Sequence, residues 1–282
     1  MSNNVNSDAH AETKKQAVST IFNTVAAGYD NPALRWFPVT ADTIVDLIKP
    51  APGTTFLDVA TGTGVVAVAA AQAVATHGRV MAIDLAEQML QQAMAKAKHL
   101  RLQNIDFFTM DAEQLEFSSH YFDNVACSFG LFFLPDMQQA LQNWQRVVKP
   151  GGKVVFTSFA QTAFQPMMDL YLESLQQFGV EISQARVSMR RLMDPAVGSA
   201  MMAECGYANV AVHSKQCGYY LQSVNEWWDI LWNSGTRGLL NQIPGPQLPG
   251  FKEQHLAQVA QLFEDDKLWL DVLVYFTCGE VV

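Results

Sequence analysis

The sequence is poor in charged residues and has no long apolar run. Only 16% of its 282 residues are charged, and its 18 lysines and arginines are scattered through a chain of net charge −9. Such a chain has no basic stripe to neutralise a phosphate backbone, which argues against a nucleic-acid partner. The longest apolar run, Val65 to Ala71, is far shorter than the ~20 residues that cross a bilayer, so we expect no membrane span.

The four cysteines form no recognisable motif. Cys127, Cys205, Cys217 and Cys278 include no C-x-x-C pair, and no histidine stands at ligand spacing beside them. This pattern predicts neither a zinc site or other metal site nor a disulfide scaffold. The histidines are isolated as well, so we expect them to be structural. The cysteines should be buried thiols in a reducing compartment, which makes the cytoplasm the expected location.

The first 16 residues are polar and lack the apolar stretch of a secretory signal. We expect residues 1–16 to be a flexible tail. Since 49% of the chain is hydrophobic, residues 17–282 can form a single domain with a large core.

Between Thr54 and Ser158, short β-rich runs take turns with longer helical runs. This alternation predicts βαβ crossovers and a parallel sheet covered by helices on both faces. We therefore predict an α/β fold with a doubly wound, mostly parallel sheet.

After Ser158 the alternation stops and the chain becomes helical and aromatic. Two β-like runs, which begin at Asn209 and Leu268, are expected to pair as an antiparallel hairpin that extends the sheet. The Gly- and Pro-rich stretch 241–250 should be a loop. We expect residues 160–250 to supply most of a helical lid over the open end of the sheet.

The stretch FLDVATGTGVVAVAA (56–70) places two glycines, Gly62 and Gly64, directly after the first predicted strand. Glycine lets the backbone turn tightly and approach a ligand without a Cβ in the way. Residues 62–67 also match the dinucleotide fingerprint G-x-G-x-x-G/A, and Asp84 stands where a ribose-binding acid belongs. An NAD(P)-dependent oxidoreductase is therefore one hypothesis.

Three further features favour a different cofactor. Asp58 puts an acid into the first strand, where a nicotinamide-binding strand is usually apolar. The stretch MDAEQLEF (110–117) places an acid and a small residue after the third strand, where they can contact an adenine amino group and ring. The stretch KPGG (149–152) supplies the turn into the fifth strand.

Together, LDVATGTG, AIDLAEQML, MDAEQLEF, SFGLFFLPD and RVVKPGGKVVF closely resemble the class I S-adenosylmethionine-dependent methyltransferases. SFGL (128–131) and IFNTVAAGYD (21–30) are most similar to the ubiquinone/menaquinone-biosynthesis subgroup and its small-molecule relatives. The resemblance covers roughly residues 21–158. It implies a Rossmann-like sheet of seven strands with an antiparallel last strand, and S-adenosyl-L-methionine as the cofactor.

The resemblance also implies roles for individual residues. Asp84 would accept both ribose hydroxyls, Leu85 and Met89 would enclose adenine, and Asp111 would meet the adenine amino group. Tyr29 matches a tyrosine that closes over the cofactor. The implied cofactor-binding residues are Tyr29, Asp58, Ala60, Thr61, Gly62, Gly64, Asp84, Leu85, Met89, Asp111, Ala112, Ser128 and Phe129.

Several of these residues also have a purely structural interpretation. Asp84 could cap the following helix together with Glu87. Leu85 and Met89 have ordinary core spacing, and Asp58 could be a structural acid. Ala60 departs from the family, which often has glycine there, so a looser contact is expected.

The expected reaction is in-line methyl transfer to a small, largely apolar or aromatic acceptor, which requires alignment more than acid–base catalysis. The expected acceptor-binding residues are Tyr29, Trp36, Phe37, Phe132 and Trp228. Helical spacing predicts that Trp232 and one of Trp227 and Trp228 face the core.

No catalytic residue is assigned. If the acceptor needs a base, Tyr29, Asp30 and His213 are candidates of equal standing. The acceptor atom is open between O, N, C and S, and a monomer and a homodimer are both open. A non-catalytic S-adenosylmethionine-binding module is the alternative outside the enzymes.

Overall fold

The computed structural model describes residues 2–182 and 188–282, with side chains from residue 10 onward. The helices are α1 (Ser2–Val25), α2 (Trp36–Ile48), α3 (Val65–Ala73), α4 (Glu87–His99), α5 (Met137–Val147), α6 (Met167–Gln177), α7 (Pro195–Glu204), α8 (Val224–Asn233), α9 (Arg237–Leu240) and α10 (Leu248–Ala260). The strands are β1 (Thr55–Val59), β2 (Arg79–Asp84), β3 (Ile105–Thr109), β4 (Phe122–Cys127), β5 (Val148–Phe159), β6 (Ala208–Gln216), β7 (Tyr219–Leu221), β8 (Leu268–Leu270) and β9 (Leu273–Glu280).

Within the described residues, seven strands form the main sheet in the order β3-β2-β1-β4-β5-β9-β6. The pairs from β3 across to β5 are parallel, whereas β9 runs antiparallel to both β5 and β6. β1 has the sequence TFLDV and is buried almost throughout, as expected for a strand with helices on both faces. The predicted fold class, with its antiparallel last strand, is confirmed.

The strand order reverses between β1 and β4. From β1 the chain proceeds to β2 and β3 on one side, and it then crosses to β4 and β5 on the other. Connections that leave two adjacent strands in opposite directions open a crevice at the carboxyl ends of those strands. The fold therefore places a ligand site beside the residues that follow β1 and β4.

The N-terminal stretch differs from its prediction as a flexible tail, because the helix α1 already begins at Ser2. Polar composition alone indicates a solvated segment, but the later turns of α1 contact the rest of the protein. Lys15, for example, forms ion pairs with Asp111 and Glu113.

The two predicted β-like runs do pair antiparallel, as β6 and β9, but they do not form a hairpin. Three helices separate them in the chain, and β9 lies between β5 and β6. The run from Leu268 is also broken at Asp271, whose Oδ1 accepts the N–H of Leu273 at 3.1 Å. As a result, β8 pairs with β7 in a separate two-stranded sheet.

The predicted loop over 241–250 ends too late, because α10 begins at Leu248. Pro249 lies in the first turn of that helix, where its missing N–H has no intrahelical partner to lose. None of the helices described in 2–182 and 188–282 is both long and apolar enough to cross a bilayer.

Candidate active site

A crevice of about 620 Å³ opens at the carboxyl ends of the central strands. The predicted cofactor residues that line it are Tyr29, Ala60, Gly62, Asp84, Leu85, Ala112, Ser128 and Phe129. Val18, Phe22, Met110, Gly130, Phe133 and Leu134 also line it, although they were not predicted. An adjoining niche is lined by Asp58 and Thr61, together with Tyr29, Ala60, Gly62 and Ser128.

The turn after β1 has the left-handed backbone that its glycines predict. Gly62 has φ 55° and Gly64 has φ 83°, and Ala60 adopts φ 53° although it carries a Cβ. Gly64 itself does not line the crevice. A Cβ there would lie 2.9 Å from the Cβ of Ala93, so Gly64 allows the start of α3 to approach α4.

Asp84 joins the turn after β1 to the turn after β2. Its Oδ2 accepts the N–H of Gly62 and its Oδ1 accepts the N–H of Ala86, each at 2.8 Å. Ala86 is the N-cap of α4, so the predicted capping role for Asp84 with Glu87 is wrong. A carboxylate has about four acceptor sites, so Asp84 can still accept hydrogen bonds from the hydroxyl groups of a ligand in the crevice. Burial raises the pKa of Asp84 above its usual range.

Asp58 is only 1% exposed and borders the niche. Its Oδ2 accepts a hydrogen bond of 2.6 Å from Thr61 Oγ1, but its Oδ1 has no hydrogen-bond partner among the described residues. Burial raises the pKa of Asp58 to about 7, despite the hydrogen bond from Thr61 and a weaker interaction with the backbone N–H of Ala67. A buried acceptor with no donor at hydrogen-bond distance fits a ligand that brings one, such as the ammonium group of S-adenosylmethionine.

Tyr29 is held beside the glycine turn by polar contacts of its neighbour Asp30. Asp30 Oδ1 accepts a hydrogen bond of 2.7 Å from Thr63 Oγ1, and Asp30 Oδ2 lies 2.9 Å from Lys96 Nζ. Sequence reasoning missed both partners, because nothing local links Thr63 or Lys96 to residue 30.

The turn after β4 also has a left-handed residue at the site. Phe129 has φ 54°, and its N–H donates to Thr157 Oγ1 at 3.0 Å. Its ring stacks on Phe159 with 4.2 Å between the ring centroids. Strained residues of this kind persist where their surroundings hold them, and they cluster at functional sites. Thr157, which the sequence did not single out, is one of the groups that hold this turn.

Two other predicted cofactor residues lie outside the crevice lining. Met89 is buried against Val25, Ala26 and Ala86, in agreement with its alternative interpretation as a core residue. The carboxylate of Asp111 lies 2.6 Å from Lys15 Nζ.

A second cavity of about 820 Å³ adjoins the crevice and shares Phe22, Tyr29, Phe129 and Phe133 with it. Its described lining is Phe22, Tyr29, Trp36, Phe37, Phe129, Phe132, Phe133, Phe159, Phe164, Met168, Leu172, Ser188, Met189, Ile230, Ser234, Gly235, Thr236 and Leu239. No charged side chain belongs to this described lining. The crevice with the Asp84 carboxylate in its wall therefore lies beside an aromatic cavity whose described lining is uncharged.

Four of the five predicted acceptor residues line this cavity, and Trp228 does not. Trp228 stacks on Trp232, with 5.7 Å between centroids, and packs near Phe251. Trp227 and Trp228 are both buried, so the prediction that one of them faces the core was too narrow. The Trp227 indole N–H donates to His255 Nε2 at 2.8 Å, so the polar group of this buried tryptophan is satisfied.

The predicted lid segment divides between two layers. α6 and the stretch from Ile230 to Leu239 contribute to the cavity wall. In contrast, α7 packs against the strands β6 and β9 of the main sheet. Part of the predicted segment, residues 183–187, lies outside the described residues.

None of the three candidate bases offers a free basic group to the cavity. Burial and the nearby carboxylates of Asp84 and Asp30 raise the pKa of Tyr29, so its phenol stays protonated at neutral pH. Asp30 is paired with Lys96 and is absent from the described cavity lining. His213 lies exposed on the edge strand β6.

These features define the protein's class. A glycine turn after β1, an acid at the end of β2, a switch point between β1 and β4 and an antiparallel last strand are those of a class I S-adenosylmethionine-dependent methyltransferase. The chain belongs to the ubiE/COQ5 methyltransferase family, whose model matches residues 10–220. It is therefore a methyltransferase enzyme that uses S-adenosylmethionine.

Individual relatives agree with this assignment. Aklanonic acid methyltransferase DauC from Streptomyces sp. strain C5 is 30% identical over 217 residues, which are 72% of this chain and 97% of DauC. The ubiquinone/menaquinone biosynthesis C-methyltransferase UbiE from Klebsiella pneumoniae strain 342 is 29% identical over 227 residues, covering 73% of this chain and 89% of UbiE. The [4+2]-cyclase SpnF shares the fold, with a TM-score of 0.57 and 17% identity over 98% of this chain and 97% of SpnF.

Proposed function

We propose that this enzyme methylates a small, flat, uncharged acceptor that binds in the aromatic cavity. The observation that carries the proposal is the described cavity lining, which is aromatic or aliphatic apart from Gly235 and the hydroxyl groups of Ser188, Ser234 and Thr236. Against these described residues a charged acceptor would lose its hydration without gaining an ion partner, which is strongly unfavourable. A flat ring instead gains stacked and edge-on contacts with the wall.

Trp36 supports an acceptor that carries an oxygen atom. Its side chain lines the cavity and is 2% exposed, and its Nε1–H has no hydrogen-bond partner among the described residues. An unpaired buried donor costs about 1–3 kcal/mol, and because Nε1 is covered in this structure, a carbonyl or hydroxyl oxygen would remove that cost by shifting the ring as it binds. The names of the relatives, a quinone-biosynthesis C-methyltransferase and an aklanonic acid methyltransferase, are in keeping with an oxygen-bearing ring.

The residues of this chain bind, orient and exclude water. When bound, S-adenosylmethionine supplies a methyl group that is activated by a positively charged sulfur. Asp84 and Asp58 would hold the ribose and ammonium groups in the crevice. Tyr29 and Phe129, which line both spaces, would keep the two ligands in contact and shield them from water. The described cavity lining carries no charged base, so the proton that the acceptor loses on methylation must pass to water outside the site.

The test is methylation of two small probes with isotope-labelled S-adenosylmethionine, followed by mass spectrometry. We expect labelled product from uncharged 1,4-dihydroxynaphthalene and none from charged phosphoethanolamine. The reverse pattern would contradict the proposal.

A matched pair of glycine variants connects this result to the cavity. Gly235→Leu should reduce methylation of the naphthalene probe while S-adenosylmethionine still binds, because a Cβ at 235 already lies 3.3 Å from Phe133. Gly250→Leu is the control, since a Cβ at 250 meets nothing within 4 Å. Equal activity in the two variants would place the acceptor elsewhere.

The fold alone does not require methyl transfer, because the [4+2]-cyclase SpnF has the same fold. The family assignment therefore carries the activity, and it argues against the oxidoreductase and the non-catalytic binding module that the sequence left as alternatives.

The proposal includes a cytoplasmic location, which the buried free thiols of Cys127, Cys205 and Cys217 support. Cys278 differs from its prediction in being only partly buried. A small-molecule acceptor remains the proposed partner. The absence of a nucleic-acid partner and the choice between monomer and homodimer remain predictions, and light scattering would measure the oligomeric state.

A further inference from the structure

One face of α1 covers the cofactor crevice. Val18 and Phe22 line the crevice, and Lys15 lies on the same side of the helix, three residues before Val18 and seven before Phe22. Residues 1–16, which composition predicts to be a tail, therefore directly precede the residues of α1 that form the outer wall of this site.

Lys15 connects this helix to the loop that follows β3. Its ammonium Nζ lies 2.6 Å from Asp111 Oδ2 and 2.5 Å from Glu113 Oε2, and its side chain is only 10% exposed. Both acids are fixed by other contacts. The backbone N–H of Glu113 donates to Asp111 Oδ1, and the N–H of Asp136 donates to Glu113 Oε1. Loss of one partner from an ion pair with this little exposure costs more than at the surface, because it leaves the remaining charges poorly hydrated and unpaired.

Two further contacts hold α1 against the residues that follow β2. Ser19 Oγ donates to the carbonyl of Leu85 at 3.1 Å, and Asn23 Oδ1 accepts the N–H of Gln88 at 2.9 Å. Leu85 lines the crevice, and Gln88 lies in the first turn of α4. The helix thus spans the crevice from the loop after β3 to the start of α4.

We propose that Lys15 is a positioning residue of the cofactor site, whose ion pairs hold α1 closed over the bound cofactor. The inference rests on the placement of S-adenosylmethionine in this crevice. Because Val18 and Phe22 form part of the wall, displacement of α1 would widen the route by which the cofactor enters and S-adenosylhomocysteine leaves. We therefore expect the ion pairs of Lys15 to slow that exchange.

The first measurement is the release rate of S-adenosylhomocysteine, followed by stopped-flow fluorescence during a chase with S-adenosylmethionine. Lys15→Met should release the product at least about tenfold faster, which corresponds to ~1.4 kcal/mol. Lys15→Arg, which keeps the charge, should restore most of the slow release. Lys98→Met is the control, because Lys98 is an exposed lysine on α4, and it should behave like the wild type.

Amide hydrogen exchange of the cofactor-free protein provides a readout that is independent of activity. Residues 10–25 should exchange faster in Lys15→Met than in the wild type, while the strands of the main sheet should be unchanged. Unchanged exchange in α1 together with unchanged release would overturn the proposal.

A double-mutant cycle separates an ion-pair effect from a general loss of stability. Glu113→Gln alone should also accelerate release, but it should have no further effect in the Lys15→Met background. Additive effects would overturn the proposal. If Lys15→Met does not fold, Glu113→Gln alone still decides, because release at the wild-type rate would contradict the role of the ion pairs. If the wild type itself does not bind S-adenosylhomocysteine, the cofactor placement fails, and this inference fails with it.

Discussion

Replacement of Asp58 by asparagine should change the way in which the stability of this protein depends on pH. The carboxyl group is 1% exposed, and burial raises its pKa from the ordinary value of 3.8 to about 7. Between these two pH values the folded protein keeps the proton, whereas the unfolded chain has lost it. Asp58 therefore lowers the free energy of unfolding as the pH rises through this window, by about 4 kcal/mol in total.

Asparagine has nearly the same size but cannot ionise, so Asp58→Asn should lack this loss. The difference in unfolding free energy between variant and wild type should grow in favour of the variant, by about 4 kcal/mol from about pH 4 to about pH 8. Urea denaturation of the cofactor-free proteins, followed by circular dichroism at several pH values, measures it. All other ionisable groups are common to both proteins, so the difference reports Asp58 together with its coulombic coupling to Asp84 and Cys127. A difference that does not grow with pH would refute the reasoning.

Cofactor binding should also report the ionisation of Asp58. A positive charge beside the unpartnered Oδ1 of Asp58 favours the ionised carboxylate. Near pH 6 the wild type should therefore release close to one more proton than Asp58→Asn when S-adenosylmethionine binds. Calorimetry in buffers of different ionisation enthalpy measures this number, and equal proton release by the two proteins would refute the assigned contact.

Three other predictions follow from single contacts. Burial lowers the pKa of His255 from 6.5 to about 4. Its neutral form therefore contributes about 3 kcal/mol to the free energy of unfolding above pH 6.5, and this contribution is lost as the pH falls toward 4. His255→Gln should lose this pH dependence in the same unfolding experiment. Gly64→Arg should abolish S-adenosylmethionine binding in calorimetry, because even a Cβ there lies 2.9 Å from Ala93, and unchanged affinity would contradict the placement of the turn. Trp36→Phe should raise the KM for 1,4-dihydroxynaphthalene roughly tenfold by removing one hydrogen bond to it, with no change in cofactor affinity; Trp228→Phe is the matched control outside the cavity.

Local sequence was sufficient for the sheet and for the centre of the crevice. Alternating β-rich and helical runs predict a parallel sheet because each strand and helix depends mainly on its own periodicity. The glycine turn and Asp84 were predictable for a similar reason. The glycine turn follows β1 and Asp84 is the last residue of β2, and the carboxyl ends of adjacent parallel strands meet at one edge.

Other predictions failed where distant segments compete for the same space. Leu85 and Met89 are four residues apart, a spacing that predicts the same helix face for both. Only Leu85 lines the crevice, because Met89 is covered by Val25 and Ala26. Trp228 was indistinguishable from an acceptor residue until the packing of α8 against α10 buried it near Phe251.

By itself the sequence determined the α/β class, the position of the glycine turn and the acids that flank it, because these depend on residues a few positions apart. Only the tertiary structure decided that α1 covers the crevice through Lys15, and that one uncharged cavity is assembled from segments as distant as Phe22 and Leu239. The physical reason is that ion pairs and aromatic walls form between segments far apart in the chain. Local sequence patterns do not indicate which distant segments come into contact.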